Sequence, residues 1–88
     1  MSNVEVLIAT RLEPAFQQQI AAVDGRVRLQ DVTELVSAEW RQASLEQVLP
    51  EDRRKLDSYL SRAEVILALM PPRDALRRSP GLRWMHLI

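Results

Sequence analysis

With 88 residues the chain is long enough for one small domain and no more. Its 12 basic and 12 acidic residues cancel to zero formal charge, against the basic excess that phosphate contacts give a nucleic-acid binder. There is no cysteine, which excludes disulfide staples, thiolate metal ligands and a thiol nucleophile and agrees with a cytoplasmic protein. The start, Met1-Ser2-Asn3-Val4-Glu5, lacks the basic region and long apolar core of a signal peptide. The longest apolar run, Val65 to Met70, falls far short of the ~20 residues of a membrane span. Neither nucleic acid nor membrane is expected as a partner.

In chain order, Val4 to Thr10 is β-branched and apolar at successive positions, with Glu5 the one polar exception. That pattern predicts a strand buried on both sides, as in a parallel sheet covered by helices. Pro14 suits the first turn of a helix. Leu12, Phe16, Ile20 and Val23 follow on one helical face, and Asp24-Gly25 is expected to close it with a residue tolerant of positive φ. From Arg26 to Val32 arginines alternate with apolar residues, which predicts an edge or half-exposed strand.

Thr33 to Arg62 is helical in character. Ser44 and Gln47 have capping-box spacing, and Pro50 with Glu51 and Asp52 marks a new helix start. Leu56, Tyr59 and Leu60 supply that helix's buried face. Val65-Ile66-Leu67-Ala68-Leu69-Met70 is apolar throughout and runs into Pro71-Pro72, the mark of a central parallel strand emptying into a rigid loop. A short helix from Pro72 to Arg78 and a fourth strand from Leu82 to Ile88 complete the chain. Strands alternating with helices imply right-handed crossovers and helices on both sheet faces.

Little in this order carries chemistry. Nucleotide loops need several glycines, and only Gly25 and Gly81 are present. His86, the single histidine, is read as structural, sharing a strand face with Trp84 and Ile88; a catalytic role would need a carboxylate partner and a cleft. Arg73, Arg77, Arg78 and Arg83 are read as a solvated face, with anion binding as the alternative. Glu51, Asp52 and Asp57 reflect helix-start preference rather than metal ligation. Trp40 and Tyr59 fit either an interface or the core. The segments Thr10-Arg11 and Met70-Pro71-Pro72 are different, because ligands of open parallel sheets bind outside the carboxyl ends of the strands. If a site exists, Thr10, Arg11, Met70, Pro71 and Pro72 border it; the plainer reading is that the prolines only end a strand and start a helix.

The stretch Ala63-Glu64-Val65-Ile66-Leu67-Ala68-Leu69-Met70-Pro71-Pro72, followed by Ala75 to Arg78 and then Pro80-Gly81-Leu82-Arg83-Trp84-Met85-His86-Leu87-Ile88, resembles the N-terminal region of D-2-hydroxyacid dehydrogenases. In that family an "ADVLL" strand, a short helix and a "P-x-L-K/R-W" lead-in precede a strand and a Gly-Ala-Gly-Val-Asp-like turn. The likeness is best over Ala63 to Ile88 and looser over Val4 to Val23, while Ser37 to Leu60 is longer than usual. It implies a flavodoxin-like α/β substrate-binding domain, with a mostly parallel four-stranded sheet, beside a separate domain that holds NAD or NADP. The implied reaction is hydride transfer between nicotinamide and a 2-hydroxy or 2-oxo acid, with histidine as acid/base and arginine clamping the carboxylate.

The family's glycine-rich turn, dinucleotide fingerprint and catalytic arginine, glutamate and histidine have no counterpart in these residues. The expectation is therefore an N-terminal portion over residues 1–88, incomplete at its C-terminal end, because the chain stops at Ile88 inside an apolar run. Alone it would bind no cofactor or metal, would lack activity, and would supply one wall of a substrate cleft. Exposed apolar surface and an unpaired edge would favour a homo-oligomer or self-association. The competing reading is a stand-alone α/β binding or protein-interaction module without catalysis. A phosphoreceiver is disfavoured, since Ala9-Thr10-Arg11 stands where its acidic pair would be.

Overall fold

Strand β1 (Val4–Ala9) is the centre of the fold because both of its faces are apolar. Val6 and Ile8 point one way, Leu7 and Ala9 the other, and all four are buried. In the computed structural model, which describes residues 3–87, β1 hydrogen-bonds two neighbours, β2 (Val27–Asp31) and β3 (Val65–Ala68). β4 (Trp84–Leu87) pairs with β3 on its other side. All pairings are parallel and the order is β2-β1-β3-β4. The fold is α/β, of flavodoxin-like three-layer type, with an open sheet whose edges among the described residues are β2 and β4.

The helices follow from the same sequence. α1 (Pro14–Ala22) carries β1 to β2, while α2 (Thr33–Trp40), a 3-10 turn at Leu45–Gln47 and α3 (Pro50–Arg62) carry β2 back across β1 to β3. α4 (Ala75–Arg78) joins β3 to β4. The two crossovers run in opposite directions along the sheet, from β1 to β2 and then from β2 past β1 to β3, so right-handedness puts α1 on one face and α2 with α3 on the other. Leu56 and Leu60 of α3 and Val36 of α2 pack on Leu7, Ala9, Ile66 and Ala68, making the core, with Tyr59, Leu82 and Met85 at its margin. Each large apolar side chain buried there contributes about 1.5–3 kcal/mol.

Several expectations need correction. The helical stripe of α1 is not a buried face: none of its residues is buried, Phe16 is 53% exposed and Val23, just beyond it, is 80% exposed. The reason is that α1 packs against β2, at the sheet's rim, and has no other helix beside it. Gly25 does not take positive φ; the turn is closed by Asp24, whose carboxylate accepts hydrogen bonds from the Arg26 amide and guanidinium. Asp74, ahead of α4, is the described residue at positive φ, 52°. Ser44 makes no side-chain cap, and Gln47 instead reaches back to the Ala43 amide. α4 starts at Ala75 rather than Pro72, and β4 begins at Trp84 rather than Leu82. Ile88, the last residue of the expected fourth strand and of the His86 face, lies outside the described residues.

Candidate functional site

The chain order reverses at β1, whose next strand lies to one side and whose third lies to the other. Such a switch point opens a crevice at the carboxyl ends of the strands. A cavity of about 550 Å³ lies there, within the range of small-ligand sites. Its floor comes from Ala9, Thr10 and Arg11 leaving β1 and from Leu69 and Met70 leaving β3. The remaining wall is one stripe of α2, with Thr33, Val36, Ser37 and Trp40 at helical spacing, and Arg41 just past it.

Two polar ties hold this geometry. The Thr33 hydroxyl lies 2.6 Å from Asp31 Oδ1 and 3.1 Å from the Thr10 carbonyl, so the start of α2 is fastened to the loop after β1. Burial opposes the charge on Asp31, but hydrogen bonds from the Thr33 hydroxyl, the Thr33 amide and Gln17 outweigh it and lower its pKa. At the other end the Trp40 indole N–H donates to the Pro71 carbonyl at 2.8 Å. The Arg73 guanidinium sits 4.5 Å over the same ring and donates to the Gln42 carbonyl. Trp40 is thereby fixed as a wall, 39% exposed, and is neither a core anchor nor a free surface ring.

Behind that wall lies a buried ion cluster. Arg78 (side chain 9% exposed) bonds both oxygens of Glu39 (1% exposed) at 2.7 and 3.0 Å and Asp57 at 2.6 Å. Burial works against the guanidinium's charge, and the two carboxylates more than restore it, so its pKa is raised. This corrects the reading of the arginine cluster as a solvated face: Arg78 is a clamp between α2, α3 and α4, and Arg73 is stacked on Trp40. Only Arg77 and Arg83 of the four are exposed.

Of the residues expected at the site, Thr10, Arg11 and Met70 line the cavity. Pro71 and Pro72 do not: the first supplies the carbonyl that holds Trp40, and the second is buried beneath the loop. The α2 contribution was missed. Its signal was present as the spacing of Thr33, Val36, Ser37 and Trp40, which reads equally well as an ordinary helix stripe. His86 stands apart on β4, its ring 5.7 Å from that of Trp84, and is not part of the cavity.

Among the described residues the lining holds no carboxylate and no imidazole; its hydroxyls, guanidinium groups and apolar surface can bind and orient a ligand. The loop after β1, Thr10-Arg11-Leu12-Glu13-Pro14, has no glycine, while Gly25 and Gly81 precede β2 and β4 at the opposite end of the sheet. No protein-family model matches the chain, and it has no match among curated proteins or solved structures.

Proposed function

We propose that this chain is the opening part of the substrate-binding domain of an NAD(P)-dependent D-2-hydroxyacid dehydrogenase, supplying one wall of the cleft that receives the 2-hydroxy or 2-oxo acid. The observation that carries the reading is the position of the cavity. It opens at the carboxyl ends of β1 and β3, between the loops that hold Thr10, Arg11 and Met70. The sequence likeness over Ala63 to Ile88 supports the same family.

The role of these residues is binding and orientation. Thr10 and Ser37 offer hydroxyls, Arg11 and Arg41 offer positive charge, and Met70 with Trp40 offers apolar contact. In this reading the hydride-transferring machinery belongs to residues outside this stretch, because the family's dinucleotide fingerprint and catalytic residues have no counterpart in it.

The test is an assay of the protein encoded by the natural gene, following NADH or NADPH oxidation with a panel of 2-oxo acids. Turnover of at least one to the D-hydroxy acid is expected. Met70→Ala should then raise KM several-fold and leave kcat nearly unchanged, because it removes contact present in both ground and transition states. Binding of oxo acids without oxidation of either cofactor would instead identify a stand-alone binding module and sink the dehydrogenase reading.

A further inference from the structure

The cavity's charge is one-sided. Its lining includes two guanidinium groups, Arg11 and Arg41, and no acidic residue. Arg26 pairs with Asp24, Arg78 with Glu39 and Asp57, and Arg83 approaches Glu64 at 3.9 Å, and none of these lines the cavity. Among the described residues neither Arg11 nor Arg41 forms an ion pair or a side-chain hydrogen bond. Arg11 also borders a second depression that contains Asp31 and Glu34, yet Asp31 is engaged by Thr33 and Gln17. Between the two arginines the wall is apolar, made by Val36, Trp40, Leu69 and Met70.

We infer that the acid taken by this cleft carries a second anionic group on its side chain, which Arg11 and Arg41 hold while its carbon stem lies along Trp40 and Met70. This rests on the proposed function and narrows its substrate class to 2-hydroxy or 2-oxo acids with an acidic end, such as a dicarboxylate. The physical reason is that two like charges at one cavity whose lining has no acidic residue give it a positive potential. An anion held by both gains charge-assisted hydrogen bonds from their forks. A ligand with a plain alkyl side chain would meet the apolar wall and gain nothing from either guanidinium group, which would stay hydrated.

Three five-carbon probes separate the possibilities: 2-oxoglutarate, 2-oxopentanoate (its side chain ending in methyl) and glutarate, which has two carboxylates and no oxo group. Binding to the chain is followed by the NMR shift of the Trp40 indole N–H. 2-Oxoglutarate is expected to bind at least about tenfold more tightly than 2-oxopentanoate, the gain of a hydrogen bond to a charged group. Raising the salt concentration should weaken it. Arg11→Gln and Arg41→Gln should each erase most of that advantage while leaving 2-oxopentanoate unaffected, and Arg54→Gln, on the exposed surface of α3, should change neither. Equal binding of the two oxo acids, no binding of either dianion, or indifference to both substitutions would overturn the inference. Equal binding would leave the dehydrogenase reading standing. Tight binding of glutarate and 2-oxoglutarate, with no oxo acid reduced by the natural enzyme, would keep this inference and remove that reading.

Discussion

The two faces of the sheet are built differently. On the face covered by α2, α3 and α4, burial holds across the strands: Leu7 is 1% exposed, Ile66 0%, and Met85 on β4 is still packed at the edge of the core. On the α1 face it fades along the same path. Ile8 is 0% exposed, its register partner Leu67 is half-buried, and Trp84 on β4 is 58% exposed. The fasteners differ in the same sense. The first face is locked by the buried Arg78 cluster, the second by an exposed hydrogen bond from Gln17 of α1 to Asp31 at 3.3 Å. The stripe of α2 that walls the cavity belongs to the locked face. A binding wall placed there costs little to pre-organise, because the core and the ion cluster already hold its backbone.

The sharpest way to break the contrast is to remove the clamp. Arg78→Met leaves Glu39 buried and charged with no partner, which costs about 3–5 kcal/mol. That is a large part of the ~4–13 kcal/mol expected for a chain of this size, and urea unfolding should show it as a lower midpoint. Asp57, 45% exposed, can solvate itself, so the penalty falls on Glu39. Adding Glu39→Leu should therefore restore most of the loss. A double variant no more stable than Arg78→Met would show that the pair does not act as a unit.

Next in size is a matched pair of truncations. Ile66→Ala on the closed face removes a fully buried side chain and should cost about 2–5 kcal/mol. Phe16→Ala on α1 removes a larger side chain that is already half in solvent, and should stay within about 0.5 kcal/mol. Comparable losses from the two would mean that α1 is covered in solution and that the contrast between the faces is false.

The closed face was legible in the sequence for a physical reason. Burial of β1 on both sides, and of β3 on one face with the other half-covered, leaves nearly continuous apolar runs, and Pro50 with Glu51 and Asp52 marks a helix start by rules that act within one turn. The exposed stripe of α1 was not legible, since periodicity shows which residues share a side but not whether anything lies opposite. The cavity was half legible. Thr10, Arg11 and Met70 followed from the rule that sites gather at the carboxyl ends of parallel strands, which needs only the strand boundaries. The α2 wall and the Arg78 clamp join residues 21 to 39 positions apart, and no local spacing encodes such a meeting. A buried Arg–Glu pair is written in sequence as two ordinary charged residues.

The smallest effect is at Asp31, which Thr33 of α2 and Gln17 of α1 both hold, and its pH dependence carries the information. Hydrogen bonds from Thr33 and Gln17 favour the ionised form of Asp31 in the folded chain, so its folded pKa lies below its unfolded one. A depressed carboxylate contributes stability that is fully present above the unfolded pKa and lost as pH falls through the folded pKa. Asp31→Asn cannot titrate, and it keeps an oxygen that can still accept from Thr33. Wild type should thus exceed the variant by a small margin near neutral pH, and the margin should shrink to nothing as the solution is acidified through the carboxylate range. Thermal unfolding followed at several pH values reads this directly. A margin independent of pH would mean that the aspartate's charge contributes nothing. Thr33 and Gln17 would then hold this position equally well through a neutral oxygen.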